Sequence, residues 1–123
     1  MKNNIFGELH RALREKRNLS LRKYCILAEL DPANISRIER GVISPPQSEG
    51  TLSKMALTLG LKEGSKGWGK FFDTAAITAG RLPKYVHEDE ELLKRLPVLL
   101  RTLTGQKLSD EKMDELVDML RER

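Results

Sequence analysis

Side chains able to do covalent chemistry are sparse in this sequence. There is one cysteine, Cys25, and two histidines, His10 and His87, far apart along the chain. A single Cys forms no intramolecular disulfide, and the three residues lack the ligand spacing of a zinc site. No nucleophile–base pair, phosphate-cradling glycine loop or carboxylate pair stands out. Neither catalytic residues, a bound metal nor a cofactor is therefore expected. Hydrogen-bonding and cationic groups, by contrast, concentrate in one stretch: Ser20, Arg22, Lys23, Asn34, Ser36, Arg37 and Arg40. Asn34 and Arg37 stand three residues apart, so they share a face if the segment is helical. Amide and guanidinium groups are planar and form paired hydrogen bonds, which suits recognition more than bond breaking.

The elements that must position these groups read as helices. Ile5, Leu9, Ala12 and Leu13 recur at helical spacing and predict a first helix over 4–17, ended by Asn18-Leu19. Ser20 is a suitable N-cap for a second helix with Leu21, Tyr24, Cys25 and Ala28 on its buried stripe. Asp31-Pro32 marks a third start, with Asp as cap and Pro at the first helical position. Ile35 and Ile38 face inward from it, and Gly41 ends it. Two short helices joined by a turn of three or four residues make the helix-turn-helix arrangement.

Further along, Ser44-Pro45-Pro46 reads as a loop. A fourth helix spans about 48–59, with Leu52, Met55, Ala56 and Leu59 inward and Gly60 as its stop. Trp68, Phe71, Phe72, Ala75, Ala76 and Ala79 form a fifth stripe, expected to serve as core or dimer surface. Gly80 to His87 reads as a linker. The acidic run Glu88–Glu91 suits a helix N-terminus before Leu92, Leu93 and Leu96, with a break or kink expected at Pro97. Ser109 is placed as the cap of a last helix bearing Met113, Leu116, Val117 and Leu120. The fold class is all-α.

The stretch Ser20–Gly41, SLRKYCILAELDPANISRIERG, resembles the Cro/repressor-type helix-turn-helix family, often called the XRE family. The closest wording is LSLRKY at 19–24 and ISRIERG at 35–41, and the likeness extends less sharply over Phe6–Leu61. Two positions depart from the family pattern. Cys25 stands where Ala is common, and Glu29 stands where the turn usually has Gly, at a cost of about 1 kcal/mol if it is left-handed.

The resemblance implies a five-helix lambda-repressor-like DNA-binding domain plus a short C-terminal helical extension. The division it suggests is 1–63 for the DNA-binding domain, 64–87 for the fifth helix and linker, and 88–123 for the extension. It also implies roles. Pro32, Ala33, Asn34, Ser36 and Arg37 would lie at the exposed front of a helix entering the major groove. Asn34 suits adenine or a phosphate, Arg37 suits guanine, and Ala33 suits a thymine methyl. Ser20, Arg22, Arg40 and the backbone near Gly41 would hold phosphates, with Lys23 adding a longer-range contact. Arg14 and Glu39 match an internal ion pair that ties the first helix to the third. Tyr24 and Cys25 are expected in the core.

Charge is distributed unevenly. Residues 1–46 carry nine Lys/Arg against five Asp/Glu, residues 47–87 six against three, and residues 88–123 seven against ten. A basic front with an acidic tail fits a polyanion partner for the front only. The aromatic residues are not interleaved with basic ones, so RNA stacking is not expected. No apolar run is long enough to span a membrane, the N-terminus does not read as a signal peptide, and lone-Cys usage fits the cytoplasm. One such domain makes few base contacts, so a homodimer is expected, through Trp68 and Phe72 or through the Leu92–Leu103 and Met113–Leu120 segments. The expected function is sequence-specific binding of double-stranded DNA as a transcriptional regulator, a repressor acting on a palindromic operator. The alternative is an antitoxin whose 88–123 segment binds a toxin while its front half represses their operon.

Overall fold

The computed structural model describes residues 4–105, and no strand occurs among them. Helix α1 (Ile5–Lys16) follows Asn4, whose side chain makes no cap bond to it. The next four helices each begin where a small oxygen-bearing side chain takes an otherwise unpaired N–H. Ser20 Oγ accepts from the Lys23 amide at 3.1 Å and opens α2 (Leu21–Ala28). Asp31 accepts from Ala33 at 3.4 Å, and Pro32 begins α3 (Pro32–Glu39). Ser48 opens α4 (Glu49–Thr58), and Ser65 opens α5 (Lys66–Thr78). Gly41, Gly60 and Gly80 take positive φ just beyond α3, α4 and α5, where a side chain would be strained.

The chain divides into two compact units, one running to Pro83 and one beginning at Lys84. Helix α5 thus belongs with α1–α4. In this first unit α1 packs on α3 and α5, α2 packs on α3 and α4, and α4 meets α5. Phe6, Tyr24, Met55 and Phe71 are fully buried at its centre, with the Phe6 and Phe71 rings 4.9 Å apart. The Phe6, Met55 and Phe71 side chains each contribute about 1.5–3 kcal/mol by burial. Cys25 is buried too, and Trp68 stacks on Phe72 at 5.3 Å, both half-buried.

The inward face of α1 differs from the expected stripe. Phe6, Gly7, His10 and Arg14 are buried, whereas Ile5 is 54% exposed and Ala12 is exposed. Leu9 and Leu13 are only half-buried. The face is rotated because its contacts to α3 are made by a glycine and polar groups, which a search for apolar periodicity passes over.

The second unit begins with a one-turn helix, α6 (Lys84–His87), inside the segment read as a linker. Helix α7 (Glu90–Gly105) follows, and Asp89 accepts from the Leu92 amide at 3.1 Å. Of the break or kink expected at Pro97, the break does not occur: α7 continues through it, although Pro supplies no N–H for the preceding turn. Val86, Leu92 and Leu99 are buried. The helix expected after Ser109 lies outside the described residues. No helix among the described residues is long and apolar enough to cross a membrane.

Candidate functional site

Helices α2 and α3 are joined by Glu29, Leu30 and Asp31 alone. The turn closes because Glu29 is left-handed, at φ 57 and ψ 49, so the Leu30 amide reaches the Cys25 carbonyl at 3.0 Å. This is the conformation anticipated for the glycine position, here held by a residue with a Cβ. Asp31, also the α3 cap, then aims the next helix.

Helix α3 has two unlike sides. Ile35 and Ile38 are buried. Pro32, Ala33, Asn34, Arg37 and Arg40 are exposed, and Ser36 is half-buried. Arg37 Nη1 donates to Asn34 Oδ1 at 3.2 Å, and Arg40 Nε donates to Ser36 Oγ at 3.3 Å. The first of these bonds holds the planar ends of Asn34 and Arg37 together on one exposed surface. Ser20, Arg22 and Lys23 are exposed on the first turn of α2. The Ser20 hydroxyl accepts from the Lys23 amide as the helix cap. Ile26, 69% exposed and one turn beyond Arg22, is an apolar neighbour that sequence reasoning had not singled out.

The far end of α3 is fastened from within. Arg14 grips the Glu39 carboxylate with two bonds, Nε to Oε2 and Nη2 to Oε1, both 2.9 Å. Its Nη1 also donates to the Leu19 carbonyl at 2.8 Å. The expected ion pair therefore forms. It has a third member that the sequence reading passed over as isolated: His10 is fully buried, with Nδ1 2.7 Å from Glu39 Oε2.

Burial pushes the Glu39 carboxyl upward, but the hydrogen bonds from His10 and Arg14 outweigh it and hold the group at about 2. Glu39 is then a carboxylate that only accepts, so His10 Nδ1 carries the shared proton. The bond to Glu39 raises the Arg14 guanidinium further, against the opposing effect of burial. Burial also raises the Tyr24 hydroxyl and the Cys25 thiol, which leaves that thiol protonated and poorly reactive. The His10 and Tyr24 rings meet edge-on at 4.8 Å. Their remaining polar atoms, His10 Nε2 and Tyr24 Oη, are buried without a hydrogen-bond partner among the described residues.

Two further residues secure the same end of α3. Asn4 Nδ2 donates to the Glu39 carbonyl at 3.1 Å. Gly7 lies so close to α3 that a Cβ there would meet the Glu39 carbonyl oxygen at 2.7 Å and also the Ile38 carbonyl oxygen. Neither residue has an apolar signal; a lone glycine inside a helical pattern, unfavourable against Ala by about 1 kcal/mol, is the one sequence sign that could have marked a packing role there.

Among the described residues no three His, Cys, Asp or Glu side chains gather as a metal site requires. No protein-family model matches this sequence, and neither a curated protein nor a solved structure matches it.

Proposed function

We propose that this protein binds double-stranded DNA sequence-specifically, with α3 as the helix that enters the major groove. The observation that carries this reading is the outward side of α3. It presents Asn34 and Arg37 as a preformed pair beside the small surfaces of Pro32 and Ala33. A helix fits the major groove, where an amide matches adenine N6 and N7 and a guanidinium matches guanine O6 and N7. Arg22 and Lys23 on α2 and Arg40 after α3 add exposed cations suited to phosphates. Ser20, whose hydroxyl caps α2, belongs with them through the helix N-terminus it opens.

On this reading residues 1–83 adopt a five-helix, lambda-repressor-like domain of the XRE type. The protein acts as a homodimer on a palindromic operator and represses by occluding a promoter. Two copies are required because one α3 spans too few base pairs for a unique site.

Binding selection from a random duplex pool at near-physiological salt tests the proposal. The expected result is an enriched palindrome with half-sites about one helical turn apart. Salt-sensitive binding without enrichment of any sequence overturns it.

A further inference from the structure

Helix α1 meets the C-terminal turn of α3 along a seam with an unusual composition. Asn4 and the α1 residues Gly7, His10 and Arg14 follow one another at spacings of three, three and four, so they form a single stripe. Asn4 holds the Glu39 carbonyl, Gly7 admits the Ile38 and Glu39 carbonyls, and His10 and Arg14 hold the Glu39 carboxylate. Glu39 is thus gripped at both its backbone and its side chain, from successive turns of one neighbouring helix.

An apolar seam would stabilise the fold at least as well, because replacing a buried ion pair with packed hydrophobic groups is often neutral or favourable. Apolar packing is also non-directional and tolerates small slides. Hydrogen bonds of fixed length, together with a contact too close for a methyl group, do not. Their specific consequence is to fix the axial position and tilt of α3. Base readout needs that, since a recognition constellation works only when held within about 0.5 Å and 10–20° of its productive geometry.

We propose that Asn4, Gly7 and His10 are specificity-determining positioning residues: they seat α3 at the angle at which Asn34 and Arg37 read bases, without facing the DNA themselves. This rests on the DNA-binding reading above. It predicts that altering the seat degrades discrimination between sequences more than it degrades binding as such.

The experiment measures, for each variant, the ratio of affinity for the selected duplex to affinity for a scrambled duplex at one salt concentration. A loss of folded protein lowers both affinities together and cancels in the ratio, so a purely structural role leaves it unchanged. Asn4→Ala is expected to reduce the ratio at least fivefold, and His10→Leu more. His10→Asn, which returns a donor at the position of Nδ1, is expected to recover most of the ratio. Amide NMR spectra of Asn4→Ala without DNA should show shifts spread along α3 as far as Asn34. Unchanged ratios in both Asn4→Ala and His10→Leu overturn the proposal. A wild-type chain that distinguishes no duplex overturns the DNA-binding reading itself, and that outcome appears before any substitution is made. Gly7→Ala, which risks not folding, is left as a supplement.

Discussion

The outward and inward faces of α3 use the same chemistry in opposite ways. On the outward face, the Arg37 guanidinium donates to Asn34 in the open, at 3.2 Å. On the inward face, the Arg14 guanidinium donates twice to Glu39, with only 10% and 7% of the two side chains exposed. The exposed bond competes with water at every moment and holds little energy, so a new partner can replace it cheaply. The buried pair has no water to fall back on, and losing one member strands the other. Within eight residues, α3 therefore combines a replaceable polar surface with a polar anchor that cannot be let go. Surfaces that bind belong to the first kind, and joints that position belong to the second.

The comparison is broken most severely at the anchor. Glu39→Ala leaves Arg14 and His10 buried around nothing, and a loss of about 3–5 kcal/mol is expected in urea unfolding. A loss under about 1 kcal/mol would mean that Arg14 escapes to solvent and the anchor is dispensable. Acid attacks the same group more gently. Glu39 is held at about 2, below the usual carboxylate value. Its contribution is therefore complete above the unfolded value, near 4.5, and is lost as pH falls from there through about 2. The expected decline is about 3 kcal/mol, and Glu39→Gln should flatten that part of the profile. An acid limb of the same depth in Glu39→Gln would show that other carboxylates govern it.

The two faces were not equally legible in the sequence. Ser20, Asp31-Pro32 and Gly41 mark the limits of α2 and α3 through local chemistry, and Ile35 and Ile38 reveal the inward side by their spacing. The outward residues follow by subtraction. The anchor was half hidden. Arg14–Glu39 follows from the family resemblance, but His10, Asn4 and Gly7 carry no apolar signal, because the α1 seam is built from hydrogen bonds and close backbone contact. Apolar patterning reports what water drives inward; it does not report polar groups that become satisfied only by a distant partner. The same blindness explains Ile5, apolar yet 54% exposed. In the second unit, α6 is a single turn too short to show a period, and α7 passes through Pro97 because a proline weakens a helix without always ending it.

The turn between α2 and α3 sharpens the comparison with a change of the opposite sign. Glu29 is left-handed and exposed, so its Cβ is strained while its side chain is not buried. Glu29→Gly should relieve that strain and stabilise the fold by about 0.5–1 kcal/mol in thermal or urea unfolding, less whatever the freer unfolded chain takes back. Sequence discrimination should not change, because neither the anchor nor the exposed pair is touched. A destabilised Glu29→Gly variant would mean that the Glu29 side chain makes a contribution larger than its backbone strain.

The smallest effect on stability is expected where the effect on binding is largest. Arg37 is exposed and the hydrogen bond its guanidinium donates to Asn34 is replaceable, so Arg37→Ala should shift unfolding by no more than about 0.5 kcal/mol. If the guanidinium reads a guanine, the same substitution should cost about 1–3 kcal/mol in operator binding and relax preference at a single base pair. Arg22→Ala, lacking a base to read, should weaken all duplexes about evenly and reduce the salt dependence by about one contact. Competition titrations over a set of single-base operator variants separate the two. An even loss across that set for Arg37→Ala would move Arg37 to the phosphate-holding group and leave Asn34 as the side chain of that pair to carry the base readout. A change in unfolding well beyond 0.5 kcal/mol would erase the distinction between the two faces of α3, since the exposed pair would then be holding the helix together as the buried one does.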